Sequence, residues 1–209
     1  MKKYILVIGN GSYVLNDNYG NGVVLRSIIQ WNRINTNNSY TIILFYRDKK
    51  KKTRLEEKLK NIEGAEKIII KPLEKLDQVI ASKEIFASFI SVPDISHYQY
   101  IEKFLFHEIP TWIVKPLTDN LQQAINITKF RNKDLLWVDY HKRFDISNML
   151  IKKFVKDNNY GKLLHYAVQY TQPYDLPMST FTWTKDTNVF SYIGCHYVDQ
   201  LEFLFAKNI

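Results

Sequence analysis

The chain has 209 residues and a formal net charge of +8, and its 45% hydrophobic and 24% charged residues exclude an intrinsically disordered protein. The only cysteine, Cys195, excludes an internal disulfide, which is typical of a reducing compartment. The apolar run after Met1 is too short for a secretion signal and no later run could span a bilayer, so we expect a cytoplasmic protein without a membrane partner.

The first predicted element is a strand at residues 4–8, which stops at a pair of glycines. Consecutive apolar residues suit a parallel strand that is buried on both faces, and glycines let the backbone approach phosphate oxygens. Val14 stands at the third glycine position of a G-x-G-x-x-G pattern, so an ordinary strand and turn is the alternative interpretation. The candidate cofactor-binding residues of this turn are Gly9, Asn10, Gly11 and Ser12.

Four consecutive lysines at 49–52 follow the next predicted strand. Clustered cations can bind a nucleic-acid backbone, but a short charged connection between a strand and a helix usually lies in solvent. We therefore expect no nucleic-acid partner, and a basic rim that attracts a phosphorylated ligand.

Apolar strand patterns alternate with helical patterns over the first 140 residues. This order predicts the α/β class, with an N-terminal Rossmann-type parallel sheet, helices on both faces and ligands at the carboxyl ends of the strands. Strands are predicted at residues 4–8, 40–46, 67–70, 85–92, 111–114 and 135–140, and helices at 23–31, 53–62, 73–82, 98–108 and 119–130.

The pattern changes after Asp145, where a helix at 146–155, one long strand at 162–172 and a helix at 190–205 are predicted. We expect a Rossmann dinucleotide-binding domain at 1–141 and the beginning of an α+β substrate or oligomerisation domain at 142–209. A lone strand needs partners, and none follows in the sequence, so this second domain is predicted to be incomplete.

Segments spread over nearly the whole chain resemble signatures of the Gfo/Idh/MocA family of NAD(P)-dependent oxidoreductases. They match, in order, its glycine turn, its T-P-x-x-x-H strand end, its E-K-P-L-A/T signature and the strand after it, and its G-x-H-x-x-D helix. The segments are Gly9-Asn10-Gly11, the run from Ser91 through Pro93 to His97, Val114-Lys115-Pro116-Leu117-Thr118 with 138–144, and Gly194 to Asp199 around His196.

The resemblance implies hydride transfer to or from a hydroxyl of a sugar, cyclitol or nucleotide sugar, with Pro93, His97 and Lys115 near the cofactor. Such chemistry needs a group that removes the hydroxyl proton as the hydride leaves. Lys115, at a strand end, is expected to hydrogen-bond the reacting hydroxyl and lower its pKa. His196 is the candidate general base or acid, because imidazole titrates near neutral pH.

Tyr192 stands where the family usually has an aspartate, four residues before the histidine. A phenol cannot stabilise an imidazolium as a carboxylate does, although it can donate a hydrogen bond to a substrate. Tyr192 is therefore a candidate site residue whose identity also favours an alternative function, a catalytically silent dinucleotide-binding or regulatory protein of the same fold.

Cofactor choice is predicted from the end of the second strand of the sheet, where the adenosine ribose lies. An arginine there pairs with a 2′-phosphate, whereas a carboxylate accepts hydrogen bonds from a free 2′-hydroxyl. Tyr46, Arg47 and Asp48 occupy these positions, so we expect NADP(H) to be preferred, and NAD(H) if Asp48 reaches the ribose. Tyr46 is a candidate to stack on the adenine in either case.

The family typically continues well past the G-x-H-x-x-D helix into a large sheet. The chain is therefore expected to be a whole or truncated oxidoreductase with exposed apolar surface, a small-molecule substrate and a possible homo-oligomeric assembly. An unrelated α/β domain is the third alternative. Scattered histidines without ligand spacing predict no metal site.

Overall fold

The computed structural model of the protein describes residues 3–17, 20–35, 39–48, 50, 52–157 and 162–205. Two of the four consecutive lysines, Lys49 and Lys51, and the loop residues Asn18 and Tyr19 lie outside the described residues. Within the described ranges, no helix is both long and apolar enough to cross a membrane.

A six-stranded parallel sheet forms the centre of the fold, in the spatial order β5-β4-β1-β6-β7-β8. This order reverses between β1 and β6, which creates the crevice where open α/β sheets bind ligands. The Rossmann-type prediction is thus confirmed. The sheet strands are β1 (Lys3–Ile8), β4 (Thr41–Tyr46), β5 (Ile69–Pro72), β6 (Glu84–Ile90), β7 (Thr111–Val114) and β8 (Leu136–Asp139), and β2 (Asn16–Asp17) pairs with β3 (Gly20–Asn21) in a separate hairpin.

Helices cover the sheet on both faces, because consecutive residues of its central strands point to opposite sides and are apolar on both. On β1, Ile5 and Val7 pack with α1 and α2, whereas Leu6 and Ile8 pack with α3, α4 and α5. The helices are α1 (Val24–Ile34), α2 (Lys52–Lys60), α3 (Leu76–Ser82), α4 (His97–Phe106) and α5 (Leu121–Thr128), followed by α6 (Ile146–Asp157) and α7 (Cys195–Phe205).

The turn after β1 is the interrupted first turn of α1. The amides of Val14 and Leu15 both donate to the Gly11 carbonyl, at 3.1 Å each, and the amides of Val24 and Leu25 donate to the carbonyls of Tyr13 and Val14, also at 3.1 Å each. Between the two halves lie the paired strands β2 and β3. Carbonyls of the turn therefore accept from amides that usually lack partners at a helix start.

The region after β8 contains α6, a π-helical turn at Phe190–Gly194 and α7, but the predicted strand at 162–172 is wrong. Its alternating pattern has the period of a strand, yet no described strand lies beside it to supply hydrogen bonds. Helix α6 packs on α7, and none of its residues is buried.

Candidate functional site

The glycine turn lies at the carboxyl end of β1, against the end of β6. Gly9 has a φ of +110°, and a Cβ at this position would lie 2.0 Å from the Ser91 carbonyl oxygen, so only glycine fits. A Cβ at Gly11 would meet nothing within 4 Å, which leaves open space above the turn. The structure thus places Gly9, Gly11 and Ser12 at the switch point of the sheet, with Asn10 between the glycines.

The end of β4 places the three residues predicted to select the cofactor in different surroundings. Tyr46 is 6% exposed and packs in the core with α1 and α2, so its ring does not offer a free face for adenine. Arg47 and Asp48 are exposed, and Asp48 accepts a hydrogen bond from the Lys50 amide at 2.9 Å.

His97 lies at the start of α4 and is fully buried between two strand ends. Its Nδ1 lies 2.8 Å from the Pro116 carbonyl and its Nε2 lies 2.9 Å from the Val92 carbonyl, while burial lowers its pKa. This contact holds the segment after Lys115 beside the segment that contains Pro93. His97 therefore positions the neighbouring residues, and both of its ring nitrogens face protein carbonyls.

Lys115 directly follows β7, and its amino group reaches the region after β8. The Nζ donates a hydrogen bond to the Tyr192 carbonyl in the π-helical turn and lies 5.1 Å from the centre of the Tyr192 ring. Burial lowers the pKa of Lys115, whereas Cys195, Asp94 and Asp139 act in the opposite direction. An ammonium has three donors, so the Tyr192 carbonyl leaves two of them for another ligand.

His196 lies in the first turn of α7 and is 4% exposed. Its pKa is lowered to about 3, first by burial and then by the charges of Lys115, His141 and Lys142, while Asp139 acts to raise it. Its Nδ1 has no hydrogen-bond partner among the described residues. The structure thus brings the predicted pair of Lys115 and His196 close enough to interact, with the imidazole neutral at pH 7.

Tyr192 lies one turn before His196, as predicted, but its hydroxyl points to another partner. The hydroxyl lies 3.4 Å from Gln172 Oε1, a long hydrogen bond, and burial raises its pKa. The carbonyl of Tyr192, rather than its phenol, contacts Lys115. Burial also raises the pKa of the neighbouring Cys195 thiol, which favours its neutral form.

Three residues at the centre of the site were not predicted there: Asp139, Tyr13 and Tyr140. The Tyr13 hydroxyl donates a 2.8 Å hydrogen bond to Asp139 Oδ2, and burial raises the Tyr13 pKa. The ring of Tyr140 stands edge-on to His196 at 6.3 Å, and burial raises its pKa to about 12. The sequence signal for Asp139 was its place at the carboxyl end of a parallel strand, where ligands bind.

A cavity of about 400 Å³ opens beside this cluster, between α1 and the face of the sheet formed by β1, β6 and β7. Its apolar wall includes Trp31, Phe89 and Trp112, and its polar end is formed by Tyr13, Asp139 and His141.

Two further contacts hold the region after β8 in place, one within that region and one to the segment that follows β6. Arg143 holds Asp199 of α7 in a two-point ion pair, with 2.8 Å from Nε to Oδ2 and 2.5 Å from the terminal nitrogen to Oδ1. The Thr187 hydroxyl donates to the buried Asp94 carboxylate at 2.7 Å. Among the residues described, no group of three or more His, Cys, Asp or Glu side chains is arranged to hold a metal ion.

Comparison with known proteins finds one family model, which describes the oxidoreductase family with an NAD-binding Rossmann fold and matches residues 26–140. The match covers more than half of the chain and begins after the glycine turn.

Two similar curated proteins are inositol 2-dehydrogenases. The protein from Arthrobacter sp. (strain FB24) is 26% identical over 136 residues, which are 64% of this chain and 39% of that protein. The protein from Rhodococcus jostii (strain RHA1) is 27% identical over 134 residues, 62% of this chain and 35% of that one. The aligned segments thus span well under half of these relatives.

Solved structures resemble this chain over nearly its whole length. Myo-inositol 2-dehydrogenase from Lactobacillus plantarum superposes with a TM-score of 0.70 at 16% identity, over 98% of this chain and 56% of that one. The WlbA dehydrogenase from Bordetella pertussis, solved with NADH and UDP-GlcNAcA, gives a TM-score of 0.67 at 17% identity, over 97% and 57%. Similarity at these identities shows the fold. With the family match, the sheet order and the glycine turn, the chain belongs to the Gfo/Idh/MocA oxidoreductase family with an NAD-binding Rossmann fold.

Proposed function

We propose that the protein is an NAD(P)-dependent oxidoreductase, or the cofactor-binding part of one, that transfers hydride to or from a hydroxyl of a sugar, cyclitol or nucleotide sugar. The observation that carries this proposal is that half-buried Lys115, at the carboxyl end of the sheet that also holds the glycine turn, lies close enough to buried His196 to interact with it electrostatically. The inositol dehydrogenases and WlbA among similar proteins support this substrate class.

The chain's residues fit a dinucleotide, because Gly9 allows the tight turn against Ser91 and Gly11 leaves the backbone uncovered at the switch point of the sheet. When bound, the nicotinamide accepts or donates the hydride. Gly9, Asn10, Gly11 and Ser12 would hold the pyrophosphate. Pro93 and His97 would hold the strand end beside the nicotinamide.

We propose that Lys115 and His196 divide the work on the substrate hydroxyl. One of the two remaining Lys115 donors would hydrogen-bond the hydroxyl oxygen and stabilise the negative charge that develops there. His196 would accept the hydroxyl proton as the hydride leaves carbon, and would return it in the reverse reaction. Tyr192 would orient the lysine through its carbonyl.

Cofactor preference is proposed to be NADP(H), with NAD(H) as the alternative. Arg47 is exposed at the end of β4, whereas Asp48 already accepts a hydrogen bond from the Lys50 amide. Tyr46 takes no part, because its ring is buried. The division of the chain at residue 141 belongs to the same proposal, and it is supported by the end of β8 at Asp139.

A homo-oligomer would cover the apolar side chains that α6 exposes, including Leu150 and Phe154. Sedimentation of the purified chain measures this directly. A second copy bound in solution would support an oligomer, and a monomer at high concentration would remove it from the proposal.

A catalytically silent dinucleotide-binding protein is the second candidate. Two observations favour it: the absence of a carboxylate at Tyr192, and the low basicity of His196, whose pKa is about 3. A base this weak provides little driving force for proton removal at neutral pH.

The first experiment measures thermal stabilisation by NADPH and by NADH, since ligand at a hundredfold over its Kd adds about 2.7 kcal/mol. Stabilisation by at least one of them is expected, and none by either would overturn dinucleotide binding.

The second experiment measures turnover, by following the absorbance of the reduced nicotinamide with inositols, sugars and nucleotide sugars as substrates. Turnover lost in Lys115→Met but retained in the control Lys129→Met, on an exposed lysine after α5, supports the enzyme. Binding without turnover across the panel supports the silent protein.

A further inference from the structure

His196 lacks a carboxylate partner on its own helix. Asp199, three residues later, is held by Arg143 through both of its oxygens, and the position one turn earlier is Tyr192. The charged groups that face the imidazole from other elements include Lys115 after β7 and His141 and Lys142 after β8. A histidine that must become an imidazolium during a reaction needs a negative charge nearby.

Asp139 is the carboxylate that approaches His196 from the sheet. It ends β8, its side chain is 11% exposed, and its Oδ2 lies 3.8 Å from Nδ1 of His141. The ring of His141 in turn lies against the ring of His196, with 4.6 Å between centroids and 65° between planes. The three side chains form a continuous row from the end of the sheet to the first turn of α7.

The row also connects a buried group with solvent. His196 is 4% exposed, whereas the side chain of His141 is 46% exposed and borders the 400 Å³ cavity. A proton taken up by a buried imidazole has to leave through a neighbour, and His141 is the titratable neighbour that reaches water. The centroid separation of 4.6 Å places the two rings in contact, so a proton would cross between them directly or through one bridging water.

We infer that His141 and Asp139 are the proton partners of His196, with His141 carrying the proton between His196 and solvent and Asp139 orienting His141 and balancing the positive charge. This inference rests on the proposed function and adds two positioning residues to it. In alcohol oxidation the hydroxyl proton moves to His196 and from there to His141 and water, while the hydride leaves with the cofactor. In the reverse direction the same proton returns.

The contact between Asp139 and His141 is too long for a hydrogen bond in the free protein, and such contacts often shorten when substrate binds. Tyr13 holds Asp139 at the right place for this, through its 2.8 Å hydrogen bond to Oδ2. A carboxylate oxygen accepts more than one hydrogen bond, so the Tyr13 contact leaves room for His141.

The test has one readout that does not depend on activity. Nitrogen NMR of labelled protein at neutral pH reports which ring nitrogen of His141 carries its proton. We expect the Nδ1–H form in the wild type, because the negative charge of Asp139, 3.8 Å from that nitrogen, favours a proton there even without a hydrogen bond. Asp139→Asn should lose this preference, and Asp145→Asn, at an exposed carboxylate nearby, is the matched control. An unchanged His141 tautomer in Asp139→Asn overturns the inference.

The kinetic readout uses the same variants in the substrate assay. We expect Asp139→Asn to lower kcat about 10–100-fold with little change in KM, the usual effect of removing a group that orients another. The acid limb of its pH profile is expected to move to lower pH, because a negative charge near His196 has been removed. Tyr13→Phe keeps the Asp139 carboxylate, so its kcat should fall much less than that of Asp139→Asn. An equal fall of kcat in both variants would assign the effect to the tyrosine contact and contradict the proposed role of Asp139.

The two proposals fail separately. If the wild type turns over with the same pH profile as Asp139→Asn, the proposed proton path through His141 is contradicted while the proposed oxidoreductase activity is supported. A wild type without turnover, but with a His141 tautomer that depends on Asp139, contradicts the enzyme and supports the row.

Discussion

The sheet region and the region after β8 differ in how they bury apolar side chains. In the sheet region Ile5, Leu6, Val7 and Ile8 are each at most 1% exposed and are covered by helices on both faces. In the second region α6 has no buried residue and exposes Met149, Leu150, Ile151 and Phe154, among others. The buried apolar surface that stabilises the described fold therefore lies in the sheet region, and α6 adds little to it.

The largest expected difference between the regions is in the free energy of unfolding that is lost when a large apolar side chain is truncated. Ile101→Ala on α4 removes a fully buried side chain and should lower the free energy of unfolding by about 2–5 kcal/mol. Ile146→Ala on α6 removes a side chain that is 77% exposed, and should change the free energy of unfolding by less than about 0.5 kcal/mol. Urea unfolding of both variants measures this, and equal losses would contradict the comparison.

The next effect concerns the glycine turn. Gly9→Ala should destabilise the protein by about 3 kcal/mol, because the φ of +110° and the Ser91 carbonyl 2.0 Å from the new Cβ both oppose it. Gly11→Ala, two residues later in open space, is the matched control and should cost less than about 1 kcal/mol. The measurement is thermal unfolding of the two variants side by side, and equal midpoint temperatures would contradict the expected difference.

Acid is expected to destabilise the protein through His196. Its pKa in the folded protein is about 3, below the usual 6.5, so the unfolded chain binds the proton first. The contribution of the neutral His196 imidazole to the free energy of unfolding is fully present above about pH 6.5, and it is lost as the pH falls towards 3. His196→Gln should remove about 2 kcal/mol of the stability loss between pH 7 and pH 5, because pH 5 lies about 1.5 units below the pKa of the unfolded chain and each unit is worth about 1.4 kcal/mol. The exposed His165→Gln is the control for urea unfolding at the two pH values, and equal slopes would argue against a buried neutral imidazole.

The smallest effect separates a partly buried ion pair from an exposed one. Asp199→Asn breaks the two-point contact with Arg143 and should cost about 1 kcal/mol, discounted because the Arg143 side chain is 39% exposed. Glu63→Gln in the exposed pair with Arg33 should cost nothing measurable. Hydrogen exchange of the α7 amides should rise only in the first variant, and protection unchanged there would contradict a role in attaching α7.

Local sequence pattern predicted most of the sheet region. The strand predicted at 111–114 forms at those residues, because β6 and β8 pair with it on either side and its two faces are buried or half-buried in a parallel sheet. The strand predicted at 162–172 does not form, because alternation of apolar and polar residues gives a strand only where a neighbouring backbone supplies hydrogen bonds. Period alone does not reveal whether that neighbour exists.

Two candidate site residues were predicted from the sequence, Lys115 from its place at a strand end within the Lys-Pro signature and His196 from the resemblance to the G-x-H-x-x-D helix, and their roles stay predictions. Asp139 was missed because its role depends on Tyr13, which is 126 residues away in sequence, and on the ring of His141. The burial of Tyr46 was missed for a related reason: an aromatic residue at a strand end suits both the core and an adenine, and the packing of α1 and α2 decides between them.

The split first turn of α1 also bears on how this domain could be engineered. The chain leaves the helix after Leu15 and rejoins it at Val23, and the amide of Gly22 contacts the Leu15 carbonyl at 2.5 Å, so the two ends of the excursion are adjacent. The connection between Leu15 and Gly22 is thus a natural insertion point whose length can change without moving the ends that flank it. Gly22 itself has to stay, because a Cβ there would lie 2.1 Å from the Leu15 carbonyl oxygen. A reporter or a second binding loop grafted into this connection would stand directly beside the dinucleotide crevice.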